Sequence, residues 1–373
     1  MLLSEFLDSF KAKIDLLTAK YYWLMLCIVL LLVVFINGVS LVPPEHYYKL
    51  AQNPFISRTD ISSNNSWQES ILLPVFAYYA HLTTKTAFHL FCAFVIVFSF
   101  TLFALLTARK YGKSLSFIIS TLLITSSLTT ILLSWVGMPD NITVLLTIPM
   151  FFANSMVWFF VLSFLGVTNH AVFVFISIEI LTLRWIAKEK EINRWHFLVT
   201  VAGLLAGYIS VQLFLAAYRI DILTRLTFPG RYSLEKWFTW NTNYFPMTLF
   251  SLLNAQWLIL IACFILFFNK DRKFYIAIGL FLAVNYIITF FTLDTTRVFA
   301  LMSWGLVVET LFHSYDLARR MPDDSYEREL YSTLLLVAFF SFISPRYFVW
   351  EGQIVMSPFR EFITRIAGYF SGR

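Results

Sequence analysis

Long apolar runs separated by short polar connectors are the dominant pattern of the chain. Runs near the length a bilayer-crossing helix needs, roughly 20 residues, cover 22–42, 86–108, 115–135, 197–218, 248–268, 274–292 and 298–317, with a shorter one at 330–345. Residues 142–186 form a further apolar stretch that is too long for one crossing. Asn154 and the Thr168-Asn169-His170 group divide it into three pieces, the middle one short. The pattern predicts an all-α polytopic transmembrane helix bundle of about eleven spans, some short or re-entrant, whose outer-face loops form a cavity. No polar interruption between 22 and 345 is long enough to fold alone. Residues 1–345 therefore read as a single integral-membrane domain, with 346–373 as an outer interfacial C-terminal tail.

Composition strengthens this picture. The chain is 59% hydrophobic and 13% charged, against roughly 25% charged for soluble domains, and its mean hydropathy is +0.72. The net charge of +6 does not point to nucleic acid, because the basic residues sit in short connectors between apolar runs, where the positive-inside rule places them. Cys27, Cys92 and Cys263 all lie within apolar runs, as small buried thiols do, and suggest neither a disulfide nor a zinc site.

The same basic connectors set the orientation. Lys11, Lys13 and Lys20 precede the first run, with no sign of a cleavable leader. Arg109/Lys110/Lys113, Arg184/Lys188/Lys190/Arg194, Lys270/Arg272/Lys273 and Arg319/Arg320/Arg328 all fall on the N-terminal side if 142–186 contributes three passes. The N-terminus is then cytoplasmic. The outer face receives a first loop (43–85), the short "VGMPDN" loop (136–141), a third loop (219–247) and the "LDTTR" segment. Glu45, Asp60, Glu69, Asp140 and Asp294 gather on that face, so any chemistry is expected at the outer membrane–water boundary.

Several polar spots there are candidates. "VPPEHYYKLAQNPF" (42–55) opens the first loop with Glu45 and His46, either of which suits a general base; an interfacial helix anchored by Tyr47 and Tyr48 explains the segment equally well. "GMPDNITVLL" (137–146) places Asp140 behind Pro139, where a helix starts and where Asp also serves as a cap. Its Asn141-Ile142-Thr143 sequon lies too close to the membrane to be read as a glycosylation site. "TNHAVF" carries Asn169 and His170. "LDTTRVFAL" spaces Asp294 and Arg297 at i, i+3, which permits an ion pair on one helix face; alternatively Asp294 orients Arg297 to hold a phosphate, for which a guanidinium is suited. A charge at the bilayer centre costs about 2.5–3.5 kcal/mol on insertion scales, so both residues need a reason to be there. No P-loop, GxGxxG, HExxH, CxxC or GxSxG element appears in a working context, which removes ATPases, dinucleotide enzymes, zincins and lipase-type hydrolases.

Taken in order, "PEHYYKLAQNPF", "ILLPVFAYYAHL", "GMPDNITVLL", "TNHAVF" and "LDTTRVFAL" resemble the motifs of the integral-membrane C-type glycosyltransferase superfamily, in particular its bacterial members. The resemblance covers roughly residues 22–312. Glu45 stands where the family usually has Asp, Ala171 where a Glu is common, and "WQES" lacks the Arg usual before "LLP". The resemblance implies sugar transfer from a polyprenyl-phosphate-linked donor to a lipid, glycan or protein acceptor at the outer face of a bacterial inner membrane. Glu45 and Asp140 would be the catalytic carboxylates, with a divalent metal (Mg or Mn) possible. Arg297, Asp294, His46, His170, Asn169, Arg231 and Lys236 would bind substrate or phosphate. Two other readings stay open. A transporter or flippase of an envelope precursor needs polar groups at broken helices near the midplane, and a polysaccharide polymerase or ligase would use outer-loop Arg and His.

Overall fold

The computed structural model describes residues 2–39, 45–58, 66–189, 191–222, 230, 232–344 and 346–356, apart from the side chains of 2–8, 45, 46, 66 and 356. The chain runs through α1 (Leu2–Asn37), α2 (Glu45–Gln52), α3 (Leu72–Tyr79), α4 (Lys85–Tyr111), α5 (Lys113–Ile124), α6 (Ser127–Ser134), α7 (Asp140–Thr147) and α8 (Met156–Asn169). It continues through α9 (Phe173–Ile186), α10 (Arg194–Ala217), α11 (Leu234–Thr242), α12 (Phe245–Leu253), α13 (Gln256–Phe267), α14 (Arg272–Phe290), α15 (Thr295–Ala318) and α16 (Ser325–Ile343). An antiparallel hairpin of β1 (Tyr347–Trp350) and β2 (Gln353–Met356) closes the described chain. Among the described residues, five helices are long and apolar enough to cross a membrane, and seven are if each bent pair counts as one span.

Local chemistry places the helix ends. Thr84 accepts a bond from the Ala87 N–H to open α4, Arg109 and Lys110 lie in its last turn, and Gly112 (φ +86°) closes it. The basic pair there is favoured by the negative end of the helix dipole. The long stretch 142–186 divides where the sequence predicts. Residues 152–155, including Asn154, separate α7 and its 3₁₀ extension (148–151) from α8, and His170 ends α8 before α9.

α8 packs along α10 at close range. A Cβ added at Gly203 or Gly207 would lie 2.6 Å from the Phe160 or Phe164 carbonyl oxygen, respectively. This is the small-residue spacing that lets membrane helices approach backbone to backbone. α15 is the central helix, with 83% of its most apolar window buried.

Two stretches that read as continuous spans are broken instead. α5 and α6 meet at 54°, and α12 and α13 at 79°. A backbone bend inside a membrane frees carbonyls that must find donors, and here each break supplies the other. Ser127 Oγ at the start of α6 donates to the Leu252 carbonyl near the end of α12 (2.9 Å), and Gln256 Nε2 at the start of α13 donates to the Leu122 carbonyl near the end of α5 (3.2 Å). Asn254 takes φ +52° at the sharper bend. The described part of the C-terminal tail forms the hairpin, whose first strand packs on α6, α12 and α15. Its "YFVWEGQIVM" alternation turns tightly at Glu351-Gly352, both with positive φ.

Candidate functional site

α6 ends at Trp135, and Gly137 (φ +108°) turns the chain to Pro139, so that Asp140 is the first residue of α7. Asn169 ends α8 beside it. Its amide donates to the Pro139 carbonyl (2.7 Å) and to Thr143 Oγ1 (2.9 Å), which fastens the start of α7 to the end of α8. α15 begins at Thr295, with Asp294 at the N-cap position making no side-chain capping bond. The Asp294 carboxylate turns to Arg297.

Arg297 joins the two segments. Its Nε donates to Asp140 Oδ2 (2.6 Å) and its Nη2 to Asp140 Oδ1 (3.2 Å), while Nη1 donates to Asp294 Oδ2 (2.7 Å). The guanidinium carbon lies 4.8 Å from the centre of the Trp135 ring. Asp140 is 2% exposed, and Asp294 and Arg297 are each 9% exposed. A guanidinium has five N–H donors. Three are used here, and the other two, one on each terminal nitrogen, have no protein partner among the described residues. The i, i+3 pair expected from the sequence is present, but the two-point contact comes from Asp140, 157 residues away.

His170 approaches the same carboxylate. Its Nδ1 accepts the Val172 N–H (3.2 Å), which leaves the ring proton on Nε2, and Nε2 lies 3.9 Å from Asp140 Oδ1. That is beyond a direct hydrogen bond, so His170 is a neighbour of the cluster and not a third partner of the carboxylate. Tyr47 of α2, 1% exposed and edge-on to Trp67, brings its side chain within electrostatic range of the guanidinium. Burial pushes the Asp294 carboxyl up to about 7, against the pull of Arg297, with Asp140 and Glu351 adding to the rise. Asp294 Oδ1 is buried without a hydrogen-bond partner.

The hairpin closes the site from one side. Thr296 Oγ1 accepts the Val349 N–H (2.9 Å) and bonds Ser251 Oγ of α12 (2.7 Å), and the Glu351 N–H reaches the Leu293 carbonyl (2.8 Å). Trp350 meets Trp135 edge-on at 5.4 Å, and Phe348 lies 5.9 Å from it. Arg346 at the base of the hairpin bonds Asn37 at the end of α1 (2.7 Å).

Of the residues singled out from sequence, Asp140, Asn169, His170, Asp294 and Arg297 come together. Lys236 does not. It is exposed on α11, with its ammonium over Tyr232 and Trp240, and it reaches the cluster only through the Gly352 turn that packs on Trp240. Glu45 and His46 open α2, but their side chains lie outside the described residues, as do Arg231 and Asp60. Asn141 and Thr143 are 2% and 0% exposed, which closes the sequon. Trp135, Tyr47, Thr296 and the hairpin are site residues the sequence reading missed. The Glu-Gly turn between alternating residues was the available signal for the last of these.

The guanidinium of Arg297 bridges the two described carboxylates, Asp140 and Asp294. No group of three or more His, Cys, Asp or Glu among the described residues is arranged to hold a metal ion. With both carboxylates ionised the cluster carries one net negative charge, and with Asp294 protonated it is neutral. No protein-family model, curated protein or solved structure matches the chain.

Proposed function

We propose that the protein is a membrane glycosyltransferase of the C-type kind, which moves a sugar from a polyprenyl-phosphate-linked donor to a lipid, glycan or protein hydroxyl. The observation that carries this reading is the uneven hold on Arg297. Asp140 grips the guanidinium at two points, whereas Asp294 holds it at one and competes with its own proton. An anionic oxygen displaces Asp294 most readily, and the two spare donors lie on the nitrogens it would approach. Fork-shaped recognition of phosphate by Arg is the strongest form of that contact.

The roles then divide. Asp140 is a poor base while a guanidinium neutralises it, so it acts as a positioning residue for Arg297, with Asn169 fixing its helix. Glu45, two positions before Tyr47 on α2, takes the acceptor proton. The acceptor oxygen bonds the anomeric carbon, the bond from that carbon to the phosphate oxygen breaks, and polyprenyl phosphate leaves with the electron pair, its charge held by Arg297.

The architecture of this reading has eleven crossings. They are the seven candidate spans together with the shorter passes 140–151, 156–169, 173–186 and 325–343. The basic connectors put the N-terminus in the cytoplasm and the cluster at the outer face of a bacterial inner membrane. A cysteine introduced at residue 322 is then labelled only from inside.

Binding of a polyprenyl-phosphate sugar to purified protein in lipid nanodiscs tests the assignment, with thermal stability measured on the same samples. Arg297→Ala is expected to lose about 1.5–3 kcal/mol of donor binding, and Arg297→Lys to lose part of it, since charge remains but the fork does not. Asp294→Asn is expected to impair binding less than Arg297→Ala. Equal destabilisation of the folded variants with donor affinity intact would reduce the cluster to architecture. A transporter of an envelope precursor is the second reading. It is favoured by the paired helix breaks, and flux of lipid-linked precursor across vesicles without sugar transfer would establish it in place of the first.

A further inference from the structure

α9, α14 and α15 meet inside the bundle around three polar side chains that the proposed reaction does not use. Glu179 of α9 is 3% exposed, and Asn285 of α14 and Ser303 of α15 are fully buried. Asn285 Nδ2 donates to Ser303 Oγ at 3.0 Å, and the Asn285 amide also faces the Glu179 carboxyl. Two oxygens in this group, Glu179 Oε2 and Asn285 Oδ1, are buried with no donor.

No described charge neutralises Glu179. α8 and residues 148–151 carry no titratable group. Asp140 of α7 and Arg297 of α15 are bound to each other, and Arg184 of α9 is bound to Glu189 and to carbonyls beyond the end of its helix. On α10, His196 bonds the Asn154 carbonyl, while Arg194 and Tyr208 are exposed. On α14, Tyr275 bonds Ser314, Arg272 and Lys273 are exposed, and Tyr286 is half-buried without interacting with Glu179. On α15, Glu309 interacts with Arg184 and Lys110, His313 pairs with Asp271, Asp316 bonds Tyr111, and Tyr315 bonds Glu327. An ionised carboxylate in such surroundings bears the full cost of burying an uncompensated charge.

We propose that Glu179 is an intramembrane proton-binding site, carried as the neutral acid with its O–H donated into the Asn285–Ser303 group. A proton gives the orphaned oxygens a donor without needing room for an ion. The site has a consequence beyond packing. Ser303 lies six residues along α15 from Arg297, about 9 Å at 1.5 Å per residue. Any ligand that shifts α15 against α9 must therefore change the affinity of Glu179 for its proton, and the proton must change the affinity for that ligand.

The test is infrared difference spectroscopy of the full chain in lipid, wild type against Glu179→Gln. The expected result is a protonated-carboxyl C=O band at neutral pH that shifts in D₂O, fades as the pH is raised and is missing from the variant. Asn285→Leu provides a second readout independent of Glu179→Gln folding, because removing the acceptor should move the same band to higher frequency. Thermal stability supplies a third. The folded chain holds a proton that the unfolded chain releases above about pH 4.3, so wild-type stability should fall with rising pH by an increment that Glu179→Gln lacks. Absence of the band at neutral pH overturns the proposal. So does a Na⁺-specific rise in Tm that disappears in Glu179→Gln, since that would make the group a cation site.

Discussion

Arg184 and Arg297 are two buried guanidinium groups in one bundle, and they are held in opposite ways. Arg184 donates four hydrogen bonds and makes a further close ion-pair contact. Nε and Nη2 meet Glu189 Oε2 at 2.7 and 2.6 Å, Nη1 donates to the Met150 and Ala153 carbonyls at 2.6 and 2.7 Å, and Nη2 reaches Asn154 Oδ1 at 2.8 Å. All of those contacts join it to the 150–154 turn or to the loop after its own helix, so Arg184 fastens the short helices α7, α8 and α9 at one end. Arg297 bonds no backbone carbonyl in the described structure and divides its contacts between two carboxylates, one of them ready to take up a proton. A guanidinium bonded to backbone and amide oxygens as well as to one counterion is built to stay. A guanidinium with spare donors between two acids is built to exchange partners.

The largest effect expected from breaking this contrast is at Arg184. Removing one partner of a buried, bonded pair costs about 3–5 kcal/mol, so Arg184→Ala should lower the melting temperature sharply or prevent recovery of folded protein, whatever ligand is added. Arg297→Ala should destabilise less, because Asp294 can neutralise itself by protonation, yet it should lose donor binding. A melting curve and a binding isotherm for each variant make the comparison. Arg297→Ala melting as low as Arg184→Ala would mean that both arginines are fasteners.

A smaller effect is a pH dependence. A carboxyl ordinarily near about 4 is pushed up to about 7 at Asp294. The native state thus keeps a proton that the unfolded chain gives up. The Asp294 contribution to stability should fall as pH rises between those two values and level off above about 7. Asp294→Asn should remove that part of the slope, measured as Tm against pH, with the Glu179 contribution left in place.

The smallest effect expected is at Thr296. Thr296→Val loses the acceptor for the Val349 N–H and the bond to Ser251, worth about 0.5–1.5 kcal/mol per hydrogen bond. It should loosen the hairpin over Trp135 and raise hydrogen exchange at Val349, while leaving exchange around Arg184 unchanged.

Much of this was legible in the residues. Polar groups within apolar runs are costly, so Asn154, Asn169, His170, Asp294 and Arg297 stood out, and the structure gives each of them a polar partner or, for His170, a place beside Asp140. The division of 142–186 at Asn154 and at 168–170 also follows from the sequence, since the side chains that interrupt the run are the ones used at the turns. Three features were not legible. Asp140 and Arg297 are 157 residues apart, and no local spacing reports such a pairing. The bends at Thr125-Ser126 and at Asn254 lie in runs whose hydropathy is that of a straight span, because hydroxyl and amide side chains satisfy the broken backbone without lowering apolarity much. Tyr47 reads as one more interfacial aromatic, and only its burial against Trp67 within electrostatic range of the guanidinium distinguishes it from Tyr48.

The mutual capping of the two bent spans has a consequence for how the chain is made. Gln256 is synthesised 134 residues after the Leu122 carbonyl it satisfies, and the Leu252 carbonyl appears 125 residues after Ser127. At about 5–20 residues per second, the first bend waits between about 7 and 27 s for its partner. During that interval the Leu122 carbonyl has only the shared Thr125 hydroxyl, 3.3 Å away and closer to the Thr121 carbonyl at 2.8 Å, so the 113–134 segment is expected to remain at the edge of the bilayer until the second bend arrives. Chains stalled before residue 245 should therefore react at a cysteine placed at position 126 with a water-soluble reagent, and chains stalled after residue 320 should not.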